Sequence, residues 1–214
     1  MGTKANPISH RLVITKNYNS FWFFNKKNYS INLKEDEKLR NCITSFFNKI
    51  YKSTNIIEGI IIKRKINFIK IQIKVFTYLK LRKFNIKQKL RKTLFNFSKN
   101  KKNIRIGVTI LKIAKPYENS NFITRYIEFQ LKNRISFGKI FGKILNLVEK
   151  NTNIEGIQIK ISGRLYGKER AFVKWTREGS LPLHTIKANV DYCSKSIKTR
   201  CGMLGLKVWI VKKK

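Results

Sequence analysis

Alternating apolar and polar residues mark four strands in the last third of the chain. The positions predicted to face a core are Ile157, Ile159 and Ile161, then Ala171, Val173 and Trp175, then Ile186, Ala188 and Val190, followed by a strand at 206–211. The opposite faces carry five cations, Lys160, Arg170, Lys174, Lys187 and Lys207. An antiparallel sheet can leave one face in water, but water alone does not require cations there. We therefore expect this face to bind an anion.

A 3.6-residue period predicts one long helix at about 122–150, in front of these strands. Its apolar side holds Ile123, Ile127, Phe137, Phe141, Leu145 and Val148, and its opposite side aligns Arg125, Lys132, Lys139, Lys143 and Lys150. Unbroken, the helix would carry that line of cations over about 38 Å, enough to follow several phosphates. Gly138 and Gly142 each lower helix stability by ~1 kcal/mol relative to Ala, and Arg134 falls on the apolar side. The two glycines thus count against an unbroken helix, and Arg134 indicates either a bend or a paired guanidinium.

The first half of the chain has the order helix, two strands, helix and strand, which is an α+β order. The five elements are predicted at 32–51, 56–64, 65–75, 85–97 and 104–113. Asn32 is the predicted N-cap of the first helix, because Glu35, Asp36 and Glu37 then lie in its positively polarised first turn. Its core face is predicted to hold Leu39, Cys42, Ile43, Phe46 and Ile50. A turn at 116–121 marks a domain boundary, which gives a basic arm at 1–28, a first domain at 29–117 and a second at 118–214.

The charge balance narrows the function. Of 214 residues, 48 are Lys or Arg and 11 are Asp or Glu, a formal charge of +37, while 42% are hydrophobic and can form a core. Residues 59–117 contain eighteen Lys or Arg and no Asp or Glu. A charge of this size repels itself in a compact state unless a polyanion neutralises it, and nucleic acid fits better than an anionic membrane surface. In the arm, cations among Trp22, Phe21, Phe23 and Phe24 suit either RNA contact or docking on the domain behind.

The N-terminal sequence has neither a secretory signal nor a convincing transit peptide, and no apolar run is long enough to span a bilayer. We therefore expect a protein made in the compartment where it works, without a membrane.

Neither a metal site nor a catalytic site is predicted. Cys42, Cys193 and Cys201 include no Cys-x-x-Cys pair and are interpreted as reduced thiols. Cys193 and Cys201 with His184 match no common zinc spacing. His184 has no nucleophile or paired carboxylate beside it, and the few carboxylates are scattered, which disfavours a nuclease. We expect no metal, no cofactor and no enzymatic activity.

The segment GIQIKISGRLYGKERAFVKWTREGSLPLHTIKANVDY…GLKVWI closely resembles the C-terminal domain of ribosomal protein three of the bacterial-type small subunit. The opening MGTKANPISHRL is similar to that family's Gly-x-Lys-x-x-Pro start, and QLKNRISFGKIFGKI is similar to its helix. NYSINLKEDEKLRNCI, KPYENSNFI and NVDYC resemble the plastid branch. The resemblance therefore implies a plastid protein of the chloroplast stroma. A mitochondrial origin is the alternative.

The resemblance also implies a fold and a set of contacts. We expect an α+β protein with an N-terminal type II KH-like domain, followed by a C-terminal domain of a helix packed on a four-stranded antiparallel sheet. The family is a structural constituent of the small-subunit head, where it binds ribosomal RNA, lines the channel through which mRNA enters, and neighbours small-subunit proteins ten and fourteen. A homo-oligomer is not expected. The predicted rRNA-binding residues are Lys4, Arg11, Lys160, Arg164, Lys168, Arg170, Lys174, Arg177, His184 and Lys187, and the predicted mRNA-contacting residues are Lys132, Lys139 and Lys143. Gly138 and Gly142 stand where bacterial members carry further Arg or Lys.

One departure from the family concerns the KH loop. A KH domain clamps single-stranded backbone in a Gly-x-x-Gly loop, but this chain has no glycine between Gly59 and Gly107. The loop should fall at 80–87, where Lys80, Arg82, Lys83 and Lys87 would contact RNA through side chains alone. Two alternatives stay open, an RNA-processing nuclease and a free regulatory KH protein, and the missing glycines disfavour the second.

Overall fold

The computed structural model describes residues 5–51, 57–65, 67–76, 86–98, 105–149 and 153–213. The chain folds into two compact units. Tyr18–Ala114 form the first, which we call the mixed-sheet unit, and Met1–Asn17 with Lys115–Lys214 form the second, the antiparallel-sheet unit. The elements are α1 (Pro7–Arg11), β1 (Ser20–Phe21), α2 (Lys26–Tyr51), β2 (Ile57–Lys65), β3 (Phe68–Phe76), α3 (Ile86–Ser98), β4 (Arg105–Ile113), α4 (Ser120–Lys132), α5 (Phe137–Glu149), β5 (Ile154–Gly163), β6 (Phe172–Gly179), β7 (Asn189–Thr199) and β8 (Gly202–Lys212). The predicted α+β class is confirmed, and the segment predicted as an N-terminal arm contributes to both units.

The mixed-sheet unit packs α2 and α3 on a four-stranded sheet of order β1-β2-β3-β4. β2 and β3 are antiparallel, whereas β1 with β2 and β3 with β4 are parallel. Its core includes Leu39, Ile43 and Phe47 of α2, Leu90 and Leu94 of α3, and the alternate residues Ile60, Ile62, Ile69, Ile71, Ile73, Ile106 and Val108 of the sheet. The predicted order of helix, two strands, helix and strand is thus present in α2, β2, β3, α3 and β4. Of the predicted core positions in α2, Ile50 is the exception, since it is 41% exposed.

The start of α2 corrects the sequence prediction. The helix begins at Lys26 and has no acidic residue in its first turn, so Asn32 is not its N-cap. Asn32 is buried in the helix, and its amide donates to the carbonyl of Asn28 at 2.9 Å. Asp36 instead accepts from the Arg64 Nε at 2.7 Å and from the Trp22 Nε1 at 2.7 Å. The acidic cluster therefore neutralises a cation of β2, which lies 28 residues further along the chain.

The antiparallel-sheet unit contains a sheet of order β6-β5-β8-β7 in which every neighbouring pair is antiparallel. Helices α4 and α5 cover one face. The core between helices and sheet includes Ile123, Ile127, Ile140, Phe141 and Ile144 from the helices, and Ile157, Ile159, Ile161, Leu206, Val208 and Ile210 from β5 and β8. The predicted four-stranded antiparallel sheet is confirmed, as is the apolar face of β5.

The predicted single helix at 122–150 is two helices. α4 ends after Lys132, where the Arg134 N–H donates to the Leu131 carbonyl at 3.0 Å and the Ile135 N–H donates to the Gln130 carbonyl at 3.2 Å. These bonds form a Schellman motif, whose left-handed position is usually Gly, but here it is Arg134 with φ of 59°. The bend therefore precedes Gly138 and Gly142, which both lie inside α5. The straight line of five cations does not form.

Strand β6 presents the opposite face from the one predicted. Register pairs Trp175 with Lys160 and Lys174 with Ile161, so Val173 and Trp175 lie on the polar side of the sheet and are 50% and 59% exposed. β6 is an edge strand, and its residues 172–175 are all exposed, which is why alternation gave the correct period but the wrong side.

The sequence at 186–190 was also assigned wrongly. Ile186 and Ala188 precede β7, and Ile186 is 39% exposed. Val190 is buried, but in a small cluster with Leu181, Trp209 and Val211. Val190 lies opposite Val211 on the neighbouring strand β8. Val211 and Trp209 are two residues apart and so share a face of β8, and Trp209 lies opposite Gln158 of β5. The cluster therefore lies on the face of the sheet away from α4 and α5.

Candidate RNA interface

The outer face of the antiparallel sheet carries two lysines side by side. Lys160 of β5 lies directly opposite Lys207 of β8 and, on its other side, opposite the exposed Trp175 of β6. The next row places Arg177 opposite Gln158. Like charges directly opposite each other on neighbouring strands destabilise a sheet. A phosphate above Lys160 and Lys207 would remove that repulsion, and Trp175 offers a ring beside it.

The outer face of the mixed sheet has the same arrangement. Lys63 of β2 lies directly opposite Lys70 of β3, and both side chains are exposed. The Lys63 ammonium lies 5.1 Å from the centroid of the Phe21 ring, a cation–π contact. The sequence shows how many cations this region holds, but which of them lie opposite each other depends on the strand register.

Three predicted cations lie at or near the tip that follows β5. Arg164, Lys168 and Arg170 are exposed. The Arg164 Nε donates to the Lys168 carbonyl at 3.0 Å, and the Lys168 ammonium lies 5.5 Å from the centroid of the Phe172 ring. Arg164 keeps its other guanidinium nitrogens available, and all three side chains reach water, as a phosphate contact requires. Lys174 is also exposed but points to the helix side of the sheet, since it lies opposite Ile161.

Arg11 corrects the predicted list of rRNA contacts. Its side chain is fully buried. The Nε donates to the Ala188 carbonyl at 3.0 Å, the Nη2 donates to the Leu183 and Thr185 carbonyls at 2.8 and 2.9 Å, and the Nη1 donates to the Pro7 carbonyl at 3.3 Å. Burial lowers the pKa of this guanidinium, but from a value so high that it stays charged. Arg11 therefore holds α1 on the loop before β7 and is not available to RNA.

That loop brings two other predicted residues to the surface. His184 and Lys187 are exposed in the segment whose carbonyls bind Arg11. Lys4 lies outside the described residues, as do Lys80, Arg82 and Lys83 of the predicted KH loop. Lys87 lies in α3, and its side chain is outside the described part.

The predicted mRNA contacts fall on two helices. Lys139 and Lys143 are exposed one turn apart on α5, together with Gly138 and Gly142. A Cβ built on either glycine meets no atom within 4 Å, so this face of α5 has room for longer side chains. Lys132 lies on α4, where its ammonium binds the Glu128 carboxylate at 2.9 Å. Of the remaining cations of the predicted line, Arg125 is half-buried and Lys150 lies outside the described residues.

A cleft of about 890 Å³ opens where the α4–α5 junction, the tip after β5 and the β7–β8 turn meet. Two of its residues were predicted to contact RNA, Lys132 to contact mRNA and Arg164 to contact rRNA. Five exposed cations line it, Lys132, Arg134, Arg164, Lys198 and Arg200. Its apolar wall consists of Leu131, Ile135, Phe137 and Leu204. Arg134, Lys198 and Arg200 were missed because only the fold brings these three segments together.

The cysteines do not form a metal site in the described part of the chain. Burial raises the pKa of the Cys42 and Cys193 thiols, so both are neutral near pH 7 and are poor ligands. Within the described residues no group of three His, Cys, Asp or Glu side chains is placed to hold a metal ion. None of the described helices combines the length and apolar character needed to cross a membrane.

Comparison with known proteins gives concordant matches. Residues 127–210 match the family described as "Ribosomal protein S3, C-terminal domain". The chain is 42% identical to "Small ribosomal subunit protein uS3c" of Amborella trichopoda, with 98% of each chain covered. The proteins of the same name from Morus indica and Nicotiana tomentosiformis are 42% and 40% identical, again with 98% of each chain covered.

Proposed function

The chain belongs to the ribosomal protein S3 family, and on that premise we propose that it is a structural constituent of the small ribosomal subunit in the plastid. It is not an enzyme. The name uS3c denotes the chloroplast-encoded protein. The single observation that carries the proposal is the identity of about 42% over 98% of both chains. The cationic surfaces described above are consistent with it.

The proposed ribosomal RNA contacts are the exposed cations of the antiparallel-sheet unit together with the half-buried Lys160. The strongest support is the Lys160–Lys207 pair, because two facing lysines are stable together when an anion lies between them. Arg177 extends that face, and Lys187 and His184 extend it across the neighbouring loop. Arg164, Lys168 and Arg170 form a second contact at the tip after β5. Arg11 contributes indirectly, because it fixes the loop that carries His184 and Lys187.

The proposed mRNA contact is the exposed face of α5. Lys139 and Lys143 lie on one side of this helix without an acidic residue between them, and neither is needed for the core. Lys132 is separated from them by the break between the helices and is partly neutralised by Glu128. We therefore assign the message to Lys139 and Lys143. Lys132 is assigned to the cleft at the helix junction.

The proposed protein neighbours are small-subunit proteins ten and fourteen, as in the family. β6 supports a protein contact, because it is an edge strand with Phe172, Val173 and Trp175 exposed. A single copy of the chain per subunit is proposed, without a homo-oligomer.

Sedimentation of a native plastid lysate tests the proposed function. The chain should migrate with small subunits at low salt and should stay with them at moderately raised salt, because both apolar and ionic contacts hold it. A chain found mainly free at low salt would contradict the ribosomal assignment and would favour a free RNA-binding protein.

The mRNA contact has a separate test on purified small subunits. The double variant Lys139→Ala with Lys143→Ala should lower mRNA loading and leave the protein in the subunit. The converse double variant, Gly138→Arg with Gly142→Lys, should strengthen loading, because each glycine has open space beside it and each replacement also stabilises the helix by ~0.5–1 kcal/mol. Release of the lysine variant from the subunit would instead assign this face to ribosomal RNA.

A further inference from the structure

We propose that the cleft at the α4–α5 junction binds one unstacked nucleotide of an RNA strand, with its base on the ring of Tyr166 and its phosphate among the surrounding arginines. This inference rests on the proposed function, because it presumes an RNA partner, and it assigns that partner a base-binding subsite. The cleft volume of about 890 Å³ falls in the range of pockets that enclose small organic ligands. A duplex would need a longer and more open surface.

The lining has two chemical characters that match the two parts of a nucleotide. Arg164 and Arg200 come from different turns and are exposed, and none of the described residues that line the cleft is acidic. Leu131, Phe137 and Leu204 form a buried apolar wall behind them. A phosphodiester backbone alone would be satisfied by the cations and would leave the apolar wall unused. An unstacked base covers such a wall, and single-stranded RNA is recognised in this way.

Tyr166 provides the stacking surface. The residue is 60% exposed, yet its side chain is held in place, because its hydroxyl accepts a hydrogen bond from the Phe137 N–H at 3.2 Å. The Phe137 and Tyr166 rings lie nearly perpendicular to each other, with their centroids 4.9 Å apart. One edge of the tyrosine is thus fixed to the start of α5 while the ring stays available to a ligand. A fixed exposed ring loses little entropy when a base stacks on it.

The backbone at Tyr166 supports a binding role. Its φ of 59° lies in the left-handed region, which favours Gly or Asn over an aromatic residue. Arg134, on the same cleft, also has φ of 59°, and these two are among three described non-glycine residues with positive φ. Strained residues of this kind cluster at binding sites. A turn with Asn at this position would be easier to form, and the tyrosine that stands there instead supplies a ring to the cleft.

The test uses the full-length chain and two six-nucleotide probes of equal charge, hexauridylate and a hexamer of abasic ribose phosphates. The variants are Tyr166→Asn, which suits the left-handed backbone and removes the ring, and Tyr166→Phe, which keeps the ring and loses only the hydroxyl. We expect Tyr166→Asn to weaken hexauridylate binding roughly 5- to 100-fold, the loss measured for one stacked base, and to leave the abasic probe unchanged. Tyr166→Phe should retain most of the affinity.

Charge and position controls complete the experiment. Arg164→Ala and Arg200→Ala should weaken both probes alike and should each flatten the salt dependence by ~0.7, whereas Lys38→Ala, an exposed lysine of α2, should not. A hexamer with one central 5-iodouridine should crosslink to Tyr166 on irradiation. Phe129 of α4, another exposed aromatic at 54%, serves as the matched position at which no crosslink is expected.

Three outcomes would overturn the proposal. If the wild-type chain bound hexauridylate and the abasic probe equally, and Tyr166→Asn changed neither affinity, the cleft would be a phosphate surface without a base site. If Tyr166→Asn weakened the binding of an acidic peptide and left hexauridylate binding unchanged, the cleft would be a protein contact. A crosslink that maps outside the cleft would place the base elsewhere. Sedimentation of the same variant separates this inference from the proposed function, because Tyr166→Asn should still enter small subunits.

Discussion

Each unit of the chain withdraws an arginine side chain from water, and the two are neutralised differently. In the mixed-sheet unit the Arg64 side chain is 3% exposed and binds the carboxylates of Asp36 and Glu35. In the antiparallel-sheet unit the hydrogen bonds of the fully buried Arg11 to described residues all go to backbone carbonyls. Arg64 thus joins a strand to a helix through formal charges. Arg11 joins a helix to a loop through dipoles and keeps its positive charge uncompensated.

The difference shows how to separate structural cations from RNA-binding ones in a chain with 48 Lys and Arg. A structural cation has its donors used inside the fold, as Arg64 and Arg11 do. A cation available to RNA keeps its donors in water and, in Lys160 and Lys207, faces another cation directly. Residue type and spacing do not reveal this difference, because it depends on which carbonyls and carboxylates the fold brings near.

The largest effect on stability is expected at Arg64. Arg64→Ala leaves the Asp36 carboxylate buried without its cation, and breaking a buried ion pair in this way costs about 3–5 kcal/mol. Hydrogen exchange measured by mass spectrometry on peptides of the mixed-sheet unit should report that loss. Arg105→Ala, at an exposed position of β4 in the same unit, is the matched control and should change protection by less than about 0.5 kcal/mol. Equal effects of the two variants would contradict a structural role for Arg64.

A smaller loss is expected at Arg11, because water can reach some of the carbonyls once the guanidinium is removed. Arg11→Ala should cost about 2–4 kcal/mol, from several hydrogen bonds with a charged donor. Protection should fall in peptides covering α1 and residues 181–188 and should stay constant in the mixed-sheet unit. Arg170→Ala, an exposed arginine of the same unit, should leave exchange unchanged. RNA affinity lost without any change in exchange would restore Arg11 to the RNA contacts.

In the antiparallel-sheet unit, Glu128 is a buried charge whose contribution to stability should depend on pH. Burial raises the pKa of its carboxyl, but hydrogen bonds from Lys195 and Lys132 outweigh burial, and the net pKa is lowered. A lowered folded-state pKa adds stability above the unfolded-state pKa, and that stability disappears as the pH falls through the folded-state value. Glu128→Gln should therefore cost about 1–2 kcal/mol at pH 7, measured by urea unfolding, and progressively less below about pH 4. A difference that is constant over this range would contradict the assignment.

The smallest effect on stability is expected at the facing lysines. Lys160→Ala with Lys207→Ala removes a like-charge pair and should change the free energy of unfolding of the isolated chain by less than about 1 kcal/mol, in the stabilising direction. The same variant should flatten the salt dependence of single-stranded RNA binding by about 1.4, for two lost phosphate contacts. Strong destabilisation would show that the two lysines have partners within the fold.

Much of the fold could be predicted from periodicity. The strands at 57–65, 68–76 and 105–113 and the helix at 86–98 were predicted to within three residues. β3 alternates strictly, β2 and β4 are dense in apolar residues, and the helix has a clear apolar stripe. Ile157, Ile159 and Ile161 are buried as predicted. Helices α4 and α5 cover one face of this sheet, and the central strand β5 turns its alternate isoleucines toward them, so here the alternation indicates both the strand and its buried face.

The remaining features depend on tertiary contacts. β6 alternates as regularly as β5, but as an edge strand it exposes both faces, and the pattern alone cannot orient it. Asn32 followed by three acidic residues is a regular helix start, yet two of the three, Glu35 and Asp36, bind Arg64 of β2 instead. The bend between α4 and α5 occurs at Arg134. The place of Arg134 on the apolar side indicated either a bend or a paired guanidinium, and only the fold distinguishes these two. The cleft was not predictable for the same reason, since its cations come from three segments far apart in the sequence.

Chemical footprinting of the cations in and out of the small subunit tests the account most directly. Lysine acetylation and arginine modification by phenylglyoxal would be mapped by mass spectrometry on the isolated chain and on purified small subunits. The account predicts that Lys160, Lys187 and Lys207 react in the isolated chain and are protected in the subunit, whereas Arg11 and Arg64 are unreactive in both. Lys139 and Lys143 should react in vacant subunits and become protected when mRNA is loaded. Equal reactivity of the three sheet and loop lysines in both states would contradict the account.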